Sequence, residues 1–542
     1  MLEIGTNGIR ADTQTASLTT RDLHKTLRSP YTHLLLIFTA SRVVYYMLGV
    51  RFDAVGVPVY IQFIDPELLR NHLLQSLFYL HWQPPGYNLF LGVILKMFPH
   101  PHAYTVAFHM IHLISGAVMV CFLFYMMRSI GVGLRLALIV TALFIISPGV
   151  VLFENWLFYE YQMAFLLIVS AGLLFHFFAH RRVASAIVFL ICQFWLVMVR
   201  NQYHLMYFTV VFVLLLYFTK HNRRLIVGAG SVLLAMILAL YLKNQILFGH
   251  FASSTWMEMG MGPLLLHQLT PEERSSFVSQ GKLSPAAETE QHTYPSILGV
   301  PLSSFRPYIT MPAKTSIPVL DEELKPSGAV NYNNVGYLEA QKLYKKDIRF
   351  IMAHYPIAYV RSVVIAWFTY FMPPDDFLFF TNNLAHIRGI QRFFDIVFFG
   401  QFKQAPGKAL RQQYAAGAKF SLVLYTGIFL LFGLPALFIF GCRYLYLGIR
   451  RRTLDRPKAL LLGFMLFNIA YCSASANFLS SFDNNRYRFP VDGFFVVIAA
   501  LTLDQVWKKF LPSVRRYKAA SRTIQSTPVE KRMLSHEKRN HA

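Results

Sequence analysis

Charge is what this chain has least of. Only 14% of its 542 residues are charged, and acids are the scarcer sign, 27 Asp and Glu against 51 Lys and Arg. A soluble domain carries roughly 25% charged residues. With 55% hydrophobic residues and a mean hydropathy of +0.41, the composition is that of an integral membrane protein. Cysteine is almost missing too. Cys121, Cys192, Cys442 and Cys472 all lie in or beside apolar runs, with no Cys-x-x-Cys, which excludes a disulfide framework and a sulfur-rich zinc site. Also absent are a Walker A loop, a Rossmann glycine pattern, Gly-x-Ser-x-Gly and His-Glu-x-x-His. Together these absences argue against a nucleotide-driven site on the cytoplasmic side. No internal repeat and no transporter-like broken-helix symmetry is visible.

The formal net charge of +24 raises the question of nucleic acid. The distribution answers it. From Lys508 to the end there are ten Lys/Arg and two acids, and the remaining excess sits in short clusters between apolar runs. That is the positive-inside pattern, and no RNA-binding motif accompanies it; no nucleic-acid partner is expected.

Runs of about 20 apolar residues mark spans. They fall at 31–50, 103–127, 135–153, 160–179, 183–200, 204–219, 225–247, 419–441, 459–479 and 490–507, with weaker ones at 84–98, 356–373 and 376–400. The expected fold is therefore an all-α polytopic membrane protein of about 10–13 transmembrane helices. The first run starts near Tyr31 without a small-x-small cleavage site, so it reads as a retained helix. Arg128 with Arg135, Arg181-Arg182, Lys220 to Arg224, Arg443 to Lys458 and the C-terminal tail are assigned to the cytoplasm. On that map 84–98 is a helix lying at or dipping into the outer surface, and 356–400 is a hairpin or re-entrant pair.

The domains that follow are a cytoplasmic tail (1–30), an N-terminal transmembrane module (31–248) with an outer loop at 51–102, an outer-face region (249–355), C-terminal transmembrane helices (356–507) and a basic cytoplasmic tail (508–542). The 249–355 region has nine Lys/Arg and ten Asp/Glu and reads as a small ordered lid.

Ionisable groups at a membrane are costly and carry a functional expectation. Asp53 follows the first helix, where partial burial would raise its pKa and suit it to general-base work; the alternative is a solvated helix end beside a snorkelling Arg51. Asp65 and Glu67 open a short helix and suit either substrate contact or ordinary N-terminal stabilisation. His81, in His-Trp-Gln-Pro-Pro, stands at the interface as a phosphate donor or as a structural residue. Glu154, Glu160 and Tyr161 follow Ser147-Pro148; carboxylates beside aromatic rings suit sugar recognition, and equally an aromatic interfacial belt. Arg200, Arg486 and Arg488 put guanidinium groups at outer helix ends, where they could clamp a phosphate or meet lipid headgroups. Glu258, in Ser253 to Gly260, either lines a site or packs a loop.

The acid after the first helix (Asp53), the His/Pro-Pro turn (His81 to Pro85), the Ser-Pro stretch leading to an acid at a helix mouth (Ser147-Pro148 to Glu160) and the Arg486 to Pro490 segment together resemble the GT-C superfamily of polytopic glycosyltransferases. The nearest branch is the family 39-like protein O-mannosyltransferases and aminoarabinose transferases. The chain lacks that pattern's Asp-Glu pair after helix 1, and Trp-Gln is inserted after His81, so the base stays open between Asp53 and Asp65.

The resemblance implies an inverting transfer from a polyprenyl-phosphate sugar to a glycan, lipid or protein acceptor of the cell envelope, at the outer face of a multi-pass protein of the plasma (bacterial inner) membrane. The absence of any Asn-x-Ser/Thr sequon agrees with that setting. Asp53 or Asp65, with Glu160, would be catalytic. Arg200, Arg486, Arg488 and His81 would hold the donor phosphate, and Glu67, Glu154, Tyr161 and Glu258 the substrate. No cofactor and no metal is demanded, and membrane lipids are the remaining partners. The competing classes are a transporter or flippase of a lipid-linked or small substrate, and a non-catalytic scaffold.

Overall fold

The computed structural model describes residues 29–220, 222–293, 299–375, 377–403, 426–479 and 484–525. Most of the two terminal tails, part of the 419–441 run and Ser480 to Asp483 lie outside the described residues. What is described is helical, with two isolated β-bridges and no strand among the described residues.

The principal helices are α1 (Pro30–Met47), α2 (Pro66–Asn71), α3 (Leu73–Phe78), α4 (Pro85–Met97), α5 (Pro101–Ser129), α6 (Leu134–Ile146), α7 (Pro148–Glu154), α8 (Tyr159–His180) and α9 (Val183–Val199). They continue with α10 (Leu205–Phe218), α11 (Arg223–Phe248), α12 (Met257–Leu266), α13 (Gly336–His354), α14 (Pro356–Tyr370), α15 (Thr381–Phe394), α16 (Ile428–Arg450), α17 (Arg456–Leu479) and α18 (Asn484–Gln525). Among the described residues six helices are long and apolar enough to cross a membrane, or up to eight if each bent pair, α6–α7 and α13–α14, is one span. This is an all-α, multi-pass integral membrane protein. Segments such as α9 and α10, at 17 and 14 residues, are apolar but short, which is why the sequence suggests a larger number.

Proline starts many of these helices. Pro30, Pro66, Pro85, Pro101, Pro148 and Pro356 all stand in the first turn, where the missing N–H is no loss and the fixed φ is already helical. The centre of the bundle is α8, which packs against α5, α9, α17 and α18 and is buried on nearly all sides. A helix apolar all round belongs in such a position. The α4 helix is 13 residues long, about 20 Å, and too short to cross a 30 Å hydrocarbon core. It packs against α9 so closely that a Cβ at Gly86 would stand 2.7 Å from the Met198 carbonyl.

The 249–355 region builds a second hydrophobic core of its own, around Leu265, Phe305, Tyr337 and Tyr344. Trp82 from the first loop inserts into it and stacks on Tyr332 at 4.1 Å. The two ends of the bundle differ in charge. At one end Lys508 pairs with Asp504, which accepts the Gly133 amide of the α5–α6 turn, and Arg456 lies over Phe178 and Phe218 where α8 and α10 finish. The starts of α8 and α18 and the finish of α9 meet at the other end.

Candidate functional site

That other end is organised by a break in the chain. Helix α7 stops at Glu154, the chain turns at Asn155, Trp156 forms an isolated bridge with Asp53, and Phe158 is extended before α8 begins. Asp53 pairs with this break through its backbone: its N–H donates to the Asn155 carbonyl at 2.8 Å and its carbonyl accepts the Leu157 N–H at 2.9 Å. The Asp53 carboxylate accepts the Val55 N–H at 2.9 Å. It is half-buried, and burial raises its pKa, with the Val55 hydrogen bond opposing. A carboxylate raised in this way is a better proton acceptor near neutral pH.

Glu160 sits in the first turn of α8 and is fully buried. Two guanidinium groups from different helices converge on its Oε1: Arg200, at the end of α9, at 3.0 Å and Arg486, at the start of α18, at 3.4 Å. Aromatic rings line both. Arg200 lies 4.7 Å from the Tyr159 ring centre and 4.2 Å from that of Tyr487; Arg486 lies 4.9 Å from Tyr487 and 5.4 Å from Phe158 and Phe377. Desolvated cation–π contacts of this kind stabilise by about 2 kcal/mol each, and so keep the guanidinium groups charged and in place inside a low-dielectric pocket.

Tyr60 joins Asp53 to this cluster. Its hydroxyl accepts from Trp156 Nε1 at 2.8 Å and its ring packs edge-on against Phe158 and Phe379. Burial raises its pKa; the Trp156 hydrogen bond and Arg486 lower it, while Asp53 and Glu160 add to the rise. Asp53, Glu160 and Arg486 are thus all within electrostatic reach of one tyrosine.

Glu154 and Tyr161 belong to a different cluster. Arg42, from the middle of α1, grips both Glu154 oxygens at 2.8 and 2.7 Å, and the Tyr161 hydroxyl donates to Oε2 at 2.8 Å. His112 bonds the Glu154 carbonyl at 2.9 Å and stacks on Tyr161. Gly116 of α5 makes room for this pair: a Cβ there would stand 2.6 Å from the Tyr161 hydroxyl and 2.7 Å from Oε2.

Other sequence-selected residues lie apart. Asp65 caps α2, accepting the Glu67 N–H at 2.8 Å, and Glu67 itself is exposed. Glu258 is buried at the start of α12, the helix that carries part of the second core. Arg488 is buried, bonded to Asp492 at 2.9 Å and to the Tyr370 carbonyl, and lines an apolar cavity of about 350 Å³ with Val140, Phe144, Phe398, Leu434 and Phe489.

His81 does not stand at the interface, where the sequence expects it to donate to a phosphate or to be structural. It is fully buried, with Nδ1 bonded to the Thr255 hydroxyl at 2.9 Å and Nε2 to the Asn333 carbonyl at 3.0 Å. Burial lowers its pKa to about 3, so it is a neutral clamp between the first loop and the second core. Ser254 and Thr255 complete the clamp on Trp82 and His81.

Sequence reasoning missed Arg42, although an arginine inside the first apolar run is a readable signal. It missed Tyr60, Trp156, Phe158, Phe377 and Tyr487 because aromatics in so greasy a chain look like packing. Among the described residues no three His, Cys, Asp or Glu side chains gather as a metal site. No family model, no curated protein and no solved structure matches this chain.

Proposed function

We propose that this protein is a membrane glycosyltransferase that moves a sugar from a polyprenyl-phosphate donor to an envelope acceptor on the face opposite the basic clusters, the outer face of a plasma membrane. The observation that carries the reading is the buried convergence of Arg200 and Arg486 on Glu160 within a ring of aromatics. A departing phosphate gathers negative charge in the transition state, and preorganised guanidinium groups in a water-poor pocket stabilise it most. Each guanidinium has five donors in a fixed fork, a geometry that matches the oxygens of a phosphate as well as those of a carboxylate.

In this mechanism the Asp53 carboxylate takes the proton of the acceptor hydroxyl. The acceptor oxygen bonds to the anomeric carbon from the face opposite the phosphate. The bond from that carbon to the phosphate oxygen breaks, and its electron pair leaves with polyprenyl phosphate. Configuration inverts. Asp53 is favoured over Asp65 as the base, because its backbone pairs with the Asn155 to Leu157 break that leads into Glu160, whereas Asp65 stands at the start of α2. The Arg488-lined apolar cavity suits the prenyl chain.

The test is turnover of a polyprenyl-phosphate sugar by the purified protein in lipid, followed by release of polyprenyl phosphate. Asp53→Asn should abolish transfer while leaving donor binding intact. Transfer at the parent rate by Asp53→Asn would reject the mechanism. A flippase reading draws on the Arg42–Glu154 pair buried within α1 and α7; it expects donor movement across the bilayer with no sugar released from phosphate.

A further inference from the structure

The basic end of the bundle holds a second cavity, larger than the one beside Arg488 and far from Glu160. Its volume is about 650 Å³, within the roughly 300–1,000 Å³ of ligand pockets. Phe178, Phe189, Phe218, Leu445, Phe464 and Gly463 form its walls, from α8, α9, α10, α16 and α17. Only two lining residues are charged, and both are arginines at the α16–α17 turn, Arg452 and Arg456. Arg456 is fixed in direction: its guanidinium lies 5.7 Å from the ring centres of both Phe178 and Phe218 and donates to the Phe218 carbonyl. The nearest acid in sequence, Asp455, is held by Lys458 at 2.6 Å, which neutralises its charge at the rim.

We infer that this cavity is a binding site for an anionic phospholipid, with an acyl chain among the phenylalanines and the phosphate on Arg452 and Arg456. Basic pockets between membrane helices select lipids by headgroup charge, while apolar walls of this kind hold hydrocarbon without regard to headgroup. The occupant therefore needs both a chain and a headgroup of net negative charge. A zwitterionic phospholipid fills the walls but brings to the rim a quaternary ammonium that offsets its phosphate, and a free phosphate ester satisfies only the rim. The site lies where α8, the central helix, ends, so an occupant would brace α10 and α17 against it. It is independent of the proposed sugar transfer at the opposite end.

Native mass spectrometry of the full-length protein in detergent tests this, using phosphatidylglycerol, phosphatidylcholine and glycerol phosphate as separate probes. Phosphatidylglycerol should bind roughly tenfold or more tightly than phosphatidylcholine, and glycerol phosphate weakly. Arg452→Gln combined with Arg456→Gln should remove that preference and leave phosphatidylcholine binding unchanged. Gly463→Leu is the second variant. A Cβ at Gly463 meets only Leu445, at 3.9 Å, so the leucine grows into open cavity and should weaken both lipids without unfolding the protein. Equal affinity for the two lipids, a preference that survives the double variant, or binding that Gly463→Leu leaves untouched would each overturn the assignment.

Discussion

Glu154 and Glu160 flank the same short break between α7 and α8, and both are fully buried. Their surroundings differ in kind. At Glu154 a single guanidinium, Arg42, takes both carboxylate oxygens, a tyrosine hydroxyl takes a further lone pair, and Gly116 closes the space to less than a methyl group. At Glu160 two guanidinium groups reach one oxygen from two helices, and aromatic rings lie against both of them. The first is an interior bond between α1 and the α7–α8 corner, with the donors aimed inward and no room for a third party. The second gathers positive charge at the junction of three helices and encloses it in aromatics. A buried carboxylate thus acquires meaning from the number and direction of the cations that meet it, and burial alone does not distinguish a strut from a binding site.

The two clusters should part most visibly when one partner is removed from each. Arg42→Met leaves the Glu154 charge buried with its tyrosine alone, and breaking a buried pair in this way costs about 3–5 kcal/mol. Thermal unfolding in detergent should show the loss, and the double variant Arg42→Met with Glu154→Leu should recover much of it. Arg200→Met leaves Glu160 with Arg486, so its stability loss should be the smaller of the two. Its effect on sugar transfer should be the larger, about 10²–10³-fold in kcat, the range for removing one preorganised donor to a developing charge. Equal stability losses, or transfer unaffected by Arg200→Met, would erase the distinction between strut and site.

Asp53 touches the same break by its backbone, and its carboxylate titrates. Its pKa is raised by burial, and a base must be ionised to act, so transfer should rise with pH along an acidic limb displaced above the usual carboxylate range. Asp53→Glu should keep part of the activity and move that limb. A pH profile unchanged by Asp53→Glu would assign the base elsewhere.

The helical, membrane-embedded architecture was legible because long apolar runs and basic clusters are strong, local signals. The pairing of Glu160 with Arg200 and Arg486 was half legible: each was an ionisable group at a helix end, but only the packing of α8, α9 and α18 brings them to one point. The division between Glu154 and Glu160 was not legible at all. It depends on Arg42 in α1 and on the turn made by Asn155 to Phe158, contacts between segments remote in sequence. His81 misled for the opposite reason. Its proline-rich setting gives a loop, and nothing local reveals that the 249–355 region covers that loop with Thr255 and Asn333.

One lysine links that covering region to Tyr60. Lys325, from the 249–355 region, is buried and donates to the Tyr60 carbonyl at 2.6 Å. Burial lowers its pKa to about 7, with Asp65 opposing. The unfolded chain keeps an ordinary lysine value of about 10.4. Below pH 7 the amine is charged in both states, and the cost of burying that charge is fully present. Between about pH 7 and pH 10 the unfolded state binds more protons than the folded one, so stability rises with pH through that window. The gain between pH 7 and pH 8 should be roughly 1 kcal/mol or less. Hydrogen exchange of the amides around Tyr60 and Lys325 should slow over this unit of pH by up to about the corresponding fivefold, after correction for intrinsic exchange. Lys325→Met keeps the apolar stem and removes the proton. It should abolish the pH dependence while preserving protection, so a dependence that persists in Lys325→Met would mean that another group fastens this region over Tyr60.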